Sequence, residues 1–186
     1  MLAVPVFEIG VWNAWIFMLI YFLPTPILMR VHKGVFEESL KSYGESQKKA
    51  NYIMWVLWAL ASIYSIFLPM RLGTIWFYIG LPITLIGTIT YIIAILSFFI
   101  TPLSKEPMTN GLYRYSRHPA YITQLIMFIG LGIASASWLL LMLTIAYTAL
   151  QLIYAGMEEQ MCIDNYGNAY REYMNKTPKW IGIQRS

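Results

Sequence analysis

Four stretches without a charged side chain govern what this chain can become: 9–29, 51–70, 72–104 and 119–157. The hydrocarbon core of a bilayer is about 30 Å thick and needs about 20 apolar residues per spanning helix. Each of the first three stretches holds one such helix, roughly Ile9–Met29, Asn51–Met70 and Trp76–Ile100. The fourth has 39 residues, about 58 Å of continuous helix at 1.5 Å per residue. That is enough for two short spans joined by a tight corner, for which Ser135-Ala136-Ser137 is the obvious place. The expected fold is an all-α integral membrane protein of five transmembrane helices, helices 4 and 5 forming a tight hairpin, in a single domain over 1–186.

The distribution of Lys and Arg supports five spans independently. Arg30, Lys33, Lys41, Lys48 and Lys49 follow the first helix; Lys105, Arg114 and Arg117 follow the third; Arg171, Lys176, Lys179 and Arg185 form the tail. Only Arg71 falls on the other side. The positive-inside rule then places the N-terminus outside and the C-terminus in the cytoplasm. The chain is expected to be a multi-pass protein of a prokaryotic cytoplasmic membrane, with its active face toward the cytoplasm. A net charge of +4 needs no nucleic acid to explain it. The single Cys162 excludes an internal disulfide and a cysteine-based metal cluster, and no metal site is expected. Glu8 stands where a removable signal peptide would carry basic residues. Trp12, Trp15, Trp55, Trp58, Trp76 and Trp138 suit an interfacial belt, and Gly80, Gly87, Gly130 and Gly132 suit close helix packing.

Polar chemistry gathers at the cytoplasmic ends. The stretch Lys105 to His118 precedes the charge-free hairpin, and Glu158-Glu159 follows it. A hairpin that leaves and returns must set these clusters side by side. Taken alone, Arg114 and Arg117 are ordinary inner-face anchors, His118-Pro119 is a helix start, and the tyrosines are interfacial aromatics. Two carboxylates at the end of a helix face the negative end of its dipole, so something cationic or hydrogen-bond donating should offset them.

The run Asn110-Gly-Leu-Tyr113 to Arg117-His-Pro-Ala-Tyr121, the hydrophobic hairpin, Glu158-Glu159 and Tyr166-Gly-Asn-Ala-Tyr170-Arg-Glu-Tyr173 together resemble the isoprenylcysteine carboxyl methyltransferase family. Its wider superfamily includes phospholipid N-methyltransferases. The match covers about the C-terminal half. The resemblance implies an integral membrane methyltransferase that uses S-adenosylmethionine, with the cofactor-binding part at about 102–180. It implies cofactor contacts from Lys105, Glu106, Pro107 and Met108, from Tyr113, from His118, Pro119, Ala120 and Tyr121, and from Glu158. Gln124, three residues after Tyr121 and so on the same helical face, adds an amide.

The roles have a physical basis. The helix start at Pro119 offers backbone N–H groups to a carboxylate, Glu158 suits an ammonium or ribose hydroxyls, and tyrosine faces suit a sulfonium. Methyl transfer rests on alignment and exclusion of water, so no general base is nominated; Glu159 is a secondary candidate, should an amine need deprotonation. In the prenylcysteine enzymes an arginine one turn before the glutamates is taken to face the substrate carboxylate. Here that place is Tyr154, the candidate substrate contact, and Trp138–Met157 contains no cation. The expected acceptor is a lipophilic molecule, either an isoprenylcysteine-like carboxylate or a phospholipid or other amine, met among membrane lipids. A reading from another class is an NADPH-dependent membrane reductase, with Arg114 and Arg117 holding the 2′-phosphate.

Overall fold

The computed structural model describes residues 8–23, 27, 30, 44–100 and 106–183; Lys33, Lys41, Lys105 and Arg185 lie outside the described residues. Within these, the chain forms six α-helices and no β-strand. They are α1 (Trp15–Phe22), α2 (Glu45–Ile66), α3 (Ile75–Ile100), α4 (Pro119–Ala134), α5 (Trp138–Tyr166) and α6 (Asn168–Lys176), with a 3-10 turn at Gly111–Arg114.

Two boundaries differ from those expected from charge-free runs, for one reason: polar residues can continue a helix beyond the apolar stretch. α2 starts at Glu45, ahead of Asn51, because Gln47 Oε1 accepts from the Gly44 N–H at 2.7 Å and caps the first turn. α5 runs past Met157 to Tyr166, where Gly167 takes a positive φ of 56° and ends it. Glu158 and Glu159 therefore lie inside α5, about two turns before its end. The hairpin corner falls where expected. α4 ends at Ala134, Ala136 is left-handed, and the Ser137 hydroxyl accepts from the Leu140 N–H at 3.2 Å to start α5.

α3 and α4 make the most extensive helix pair among the described residues, and glycine is the reason. A Cβ at Gly80 would meet the backbone of Ala134 and Gly130, one at Gly87 the backbone of Met127, and one at Gly130 the backbone of Thr84. Position rises on α3 as it falls on α4, so the two helices run antiparallel along a seam of small residues. Gly132 faces Leu141 of α5 instead. The apolar core, built on Ala14, Phe17, Tyr64, Leu68, Leu131 and Leu140, lies toward the hairpin-corner end. Asn13 ties that end by donating to Glu8 O and Ile66 O. The polar clusters occupy the opposite end.

Among the described residues, two helices, α3 over Ile75–Ser97 and α5, are long and apolar enough to cross a membrane; α4 is apolar but shorter. Only 33% and 28% of their most apolar windows are buried, which is unlike the core helix of a water-soluble protein. Their free faces carry exposed Ile79, Ile86, Ile89 and Ile93 on α3 and Met142, Ile145 and Ile153 on α5, side chains suited to lipid. Trp12, Trp76 and Trp138 are exposed, as interfacial anchors should be. Trp58 is buried against Phe22 and Tyr21, so it packs rather than anchors. Pro82 lies inside α3 without ending it.

The seam makes a prediction. Gly87→Leu should lower stability by about 2 kcal/mol or more, the usual cost of forcing a side chain into a packed contact. Gly44→Ala, with its nearest atom 3.7 Å away, should be near neutral. Equal thermal midpoints for the two variants in detergent would contradict a close-packed seam.

Candidate functional site

Local backbone rules set the first wall. Pro119 occupies the first turn of α4, where its fixed φ and missing N–H are no loss. His118 before it is non-helical, at φ −127° and ψ 55°, and its side chain does not cap the helix. Its ring turns toward α5, while its N–H donates to the Ser116 hydroxyl at 3.0 Å. Upstream, Gly111 at φ 61° sits so close to Ser97 that a Cβ would strike it, which fastens the 3-10 turn to the end of α3.

The second wall is the C-terminal segment after α6. The Arg117 N–H donates to Pro178 O at 3.1 Å and the Gly182 N–H to Tyr115 O at 3.1 Å. The Ser116 hydroxyl donates to Lys179 O at 3.2 Å. The tail is thus strapped along residues 115–118, and Tyr173 of α6 adds a bond from its hydroxyl to Tyr113 O at 2.7 Å. Burial pushes the Tyr173 phenol well above its ordinary range despite Arg117 nearby. Burial and then the Glu158 charge do the same to Tyr113. Both remain protonated at neutral pH.

The two glutamates have different fates. Glu159 is buried and fully engaged. Arg117 Nε donates to its Oε1 at 2.8 Å, His118 Nε2 lies 3.2 Å from the same oxygen, and Lys179 Nζ is 3.2 Å from Oε2. Arg117 also donates to Met174 O and Thr177 O at 3.0 and 3.4 Å. The cation expected to offset the glutamates is present, supplied by Arg117 and Lys179. Glu158 remains a third exposed. Its Oε2 accepts from the Tyr121 hydroxyl at 2.7 Å and lies 3.5 Å from His118 Nδ1. The His118 ring lies parallel to Tyr121, with centroids 5.4 Å apart, and tilted to Trp180 at 5.7 Å.

Several sequence candidates converge here: His118, Pro119, Ala120, Tyr121 and Glu158, with Tyr113 near enough to feel the Glu158 charge. Of the N–H groups opening α4, those of Tyr121 and Ile122 already donate to His118 O. The Ala120 N–H makes no such bond among the described residues. Gln124 lies deeper, accepting from Gln151 at 2.7 Å, and Tyr154 is buried near Tyr121. Glu106 and Pro107 are placed elsewhere, lining a cavity of about 320 Å³ with Thr109, Glu172, Tyr173 and Lys176. Met108 is half-buried beside them in sequence, and Lys105 is outside the described residues. Arg117 belongs to the interior clamp, its Nε and Nη1 committed to Glu159 and to the Met174 and Thr177 carbonyls; Arg114 is exposed. Sequence reasoning missed Lys179, Trp180 and Ser116, and took Arg117 for an anchor.

Glu159 is buried among donors from two distant segments. Arg117→Met should therefore cost about 3 kcal/mol by leaving a buried carboxylate short of its closest partner, and Arg117→Met with Glu159→Met should recover most of that loss. A single-variant loss below about 1 kcal/mol, the size of a surface ion pair, in denaturation of the detergent-solubilised protein would contradict the clamp.

A family model described as phospholipid methyltransferase matches residues 72–169, more than half of the 186 residues. The match spans α3, the 3-10 turn, the α4–α5 hairpin and the start of α6, and so includes His118, Tyr121 and both glutamates. No curated protein matches the chain. With the helix hairpin that carries these residues inside the matched region, the chain belongs to the phospholipid methyltransferase family, within the isoprenylcysteine carboxyl methyltransferase-like superfamily of membrane methyltransferases.

Proposed function

We propose that this chain methylates an amine on a lipophilic acceptor, using S-adenosylmethionine bound beside Glu158. The observation that carries the amine reading is how the cations are used. Arg117 and Lys179 both engage Glu159, and α5 from Trp138 to Met157 has none. A buried carboxylate acceptor would meet no charge partner there, at a cost of several kcal/mol. An amine asks for no cation, and it suits the family description.

The residues present suit the cofactor by the chemistry of their donors and acceptors. Glu158, its side chain a third exposed, would hold the ammonium or the ribose hydroxyls. The Ala120 N–H at the start of α4 would serve the carboxylate. Tyr113 and Tyr121 would present aromatic faces to positive charge, and Trp180 a surface for the adenine. S-adenosylmethionine supplies an electrophilic methyl group. The protein supplies position. The Tyr121 hydroxyl and the His118 ring both meet the same Glu158 oxygen, Oε2, so the carboxylate is oriented before anything binds. An amine must be neutral to act as a nucleophile. Burial in apolar surroundings lowers an amine's pKa by disfavouring its charged form, which supplies neutral amine with no side chain assigned as base. Glu159, with both oxygens taken, serves the scaffold in this reading. The clustered Lys and Arg and the apolar runs support five spans with the N-terminus outside, placing the site at the cytoplasmic face, open to a water-soluble cofactor.

The test is thermal stability of the purified protein in detergent. Saturating S-adenosylhomocysteine should raise the unfolding midpoint. Glu158→Ala should fold normally but bind it about 10- to 100-fold more weakly, the loss of one charge-assisted hydrogen bond. A midpoint unmoved by S-adenosylhomocysteine yet raised by NADPH would replace this reading with a reductase.

A further inference from the structure

Between α4, α5 and the C-terminal segment lies a second cavity, of about 420 Å³, lined by Tyr121, Leu125, Thr148, Gln151, Trp180 and Ile181 among others. Its walls are mostly apolar, and the Thr148 hydroxyl is turned away, donating within α5 to Thr144 O at 2.8 Å. Gln151 is the exception. It is 2% exposed, its Nε2 is committed to Gln124 Oε1 at 2.7 Å, and its Oε1 has no hydrogen-bond partner among the described residues. A buried carbonyl oxygen left unpaired is rare and calls for an explanation; a ligand carrying an N–H or O–H donor provides one. The rim is apolar and open: Leu152 is 49% and Ile181 74% exposed, next to the lipid-suited Ile145 and Ile153 on α5. The chamber also adjoins the cofactor residues, because Tyr121 forms part of its wall while its hydroxyl holds Glu158.

We infer that this chamber is the acceptor site and that Gln151 recognises the acceptor nitrogen through its N–H. The occupant is a long-chain amine lipid entering sideways from the bilayer, its chain passing between Leu152 and Ile181 and its headgroup meeting Gln151 Oε1. This rests on the amine reading proposed above. An N–H bonded to Oε1 holds the nitrogen in one orientation and leaves its lone pair to point elsewhere, as attack on a methyl carbon requires. It also grades the substrates. A neutral primary amine has two N–H groups, its monomethyl form one and its dimethyl form none, so Gln151 favours early methylations and lets the later products go. A carboxylate in the same place would set acceptor against acceptor.

The experiment uses the full chain in nanodiscs. Phosphatidylethanolamine and its N-methyl and N,N-dimethyl forms are offered separately, and S-adenosylhomocysteine affinity is measured in parallel. Gln151→Met should raise KM for the unmethylated lipid about tenfold, the value of one hydrogen bond. It should leave KM for the dimethyl lipid within about twofold and cofactor affinity unchanged. A purely structural role for Gln151 would move all three lipids alike, and that result, or no change at all, overturns the inference. A second arm needs no turnover: phosphatidylethanolamine with a diazirine in its acyl chain should cross-link to Leu125, Leu152 or Ile181, and Leu125→Trp should suppress the labelling. Labelling confined to α2 and α3 also overturns it. A wild-type protein that binds no S-adenosylhomocysteine, or methylates none of the three lipids, defeats the proposed function instead, and the cross-linking arm still decides whether the chamber takes lipid.

Discussion

The buried carboxylate of Glu159 is what the polar end of this molecule is organised around. An ionised group removed from water is tolerated only when paired and hydrogen-bonded. Meeting that demand draws in Arg117 and His118 from the start of α4 and Lys179 from the tail. Three distant stretches of sequence are thereby fixed at one point. Arg117 extends the effect by binding the carbonyls of Met174 and Thr177, which seats the end of α6. Successive residues on a helix point about 100° apart, so once Glu159 faces the clamp, Glu158 must face the side, where Tyr121 meets it. The residue proposed to bind cofactor is aimed by the one beside it.

Helix register then carries the site inward. The glycine seam holds α4 against α3, and the tight corner at Ser135–Ser137 brings α5 back antiparallel along α4. Cross-helix polar contacts follow in order: His118 with Glu159, Tyr121 with Glu158, Gln124 with Gln151. They lead from the polar end of the bundle into its apolar interior. A water-soluble cofactor and a lipid acceptor have to meet somewhere along such a line, and Tyr121 stands between the residues suited to each.

Much of this was legible in the sequence, for reasons that can be named. Charge-free runs mark helices because burying a charge in hydrocarbon is costly, so α3, the hairpin and its corner were visible. The demand of Glu158-Glu159 for a cation was also readable. Its source was not, because Lys179 is brought close by a backbone strap rather than by any helical period. Glu106 and Pro107, which the resemblance brings to the cofactor, line a cavity against α6, a placement that no helical period announces. The end of α5 was set too early because hydropathy does not see a helix that continues through polar residues. Gln151 was passed over inside an apolar run. The signal for it was present all the same: a hairpin turning at Ser135–Ser137 sets residues at similar distances from the turn, to within about one helical turn, on facing helices, which brings Gln124 near Gln151 and Tyr121 near Tyr154.

The claim that most needs testing is that the methyl group goes to nitrogen. The direct measurement is to incubate the purified protein with a total lipid extract and methyl-labelled S-adenosylmethionine, then treat the labelled lipids with base. An N-methyl bond survives base, whereas a methyl ester releases its label as methanol. The account predicts label that stays non-volatile, on the amine headgroup, when base also strips the acyl chains. Release of the label as methanol would mean a carboxylate acceptor and contradict it.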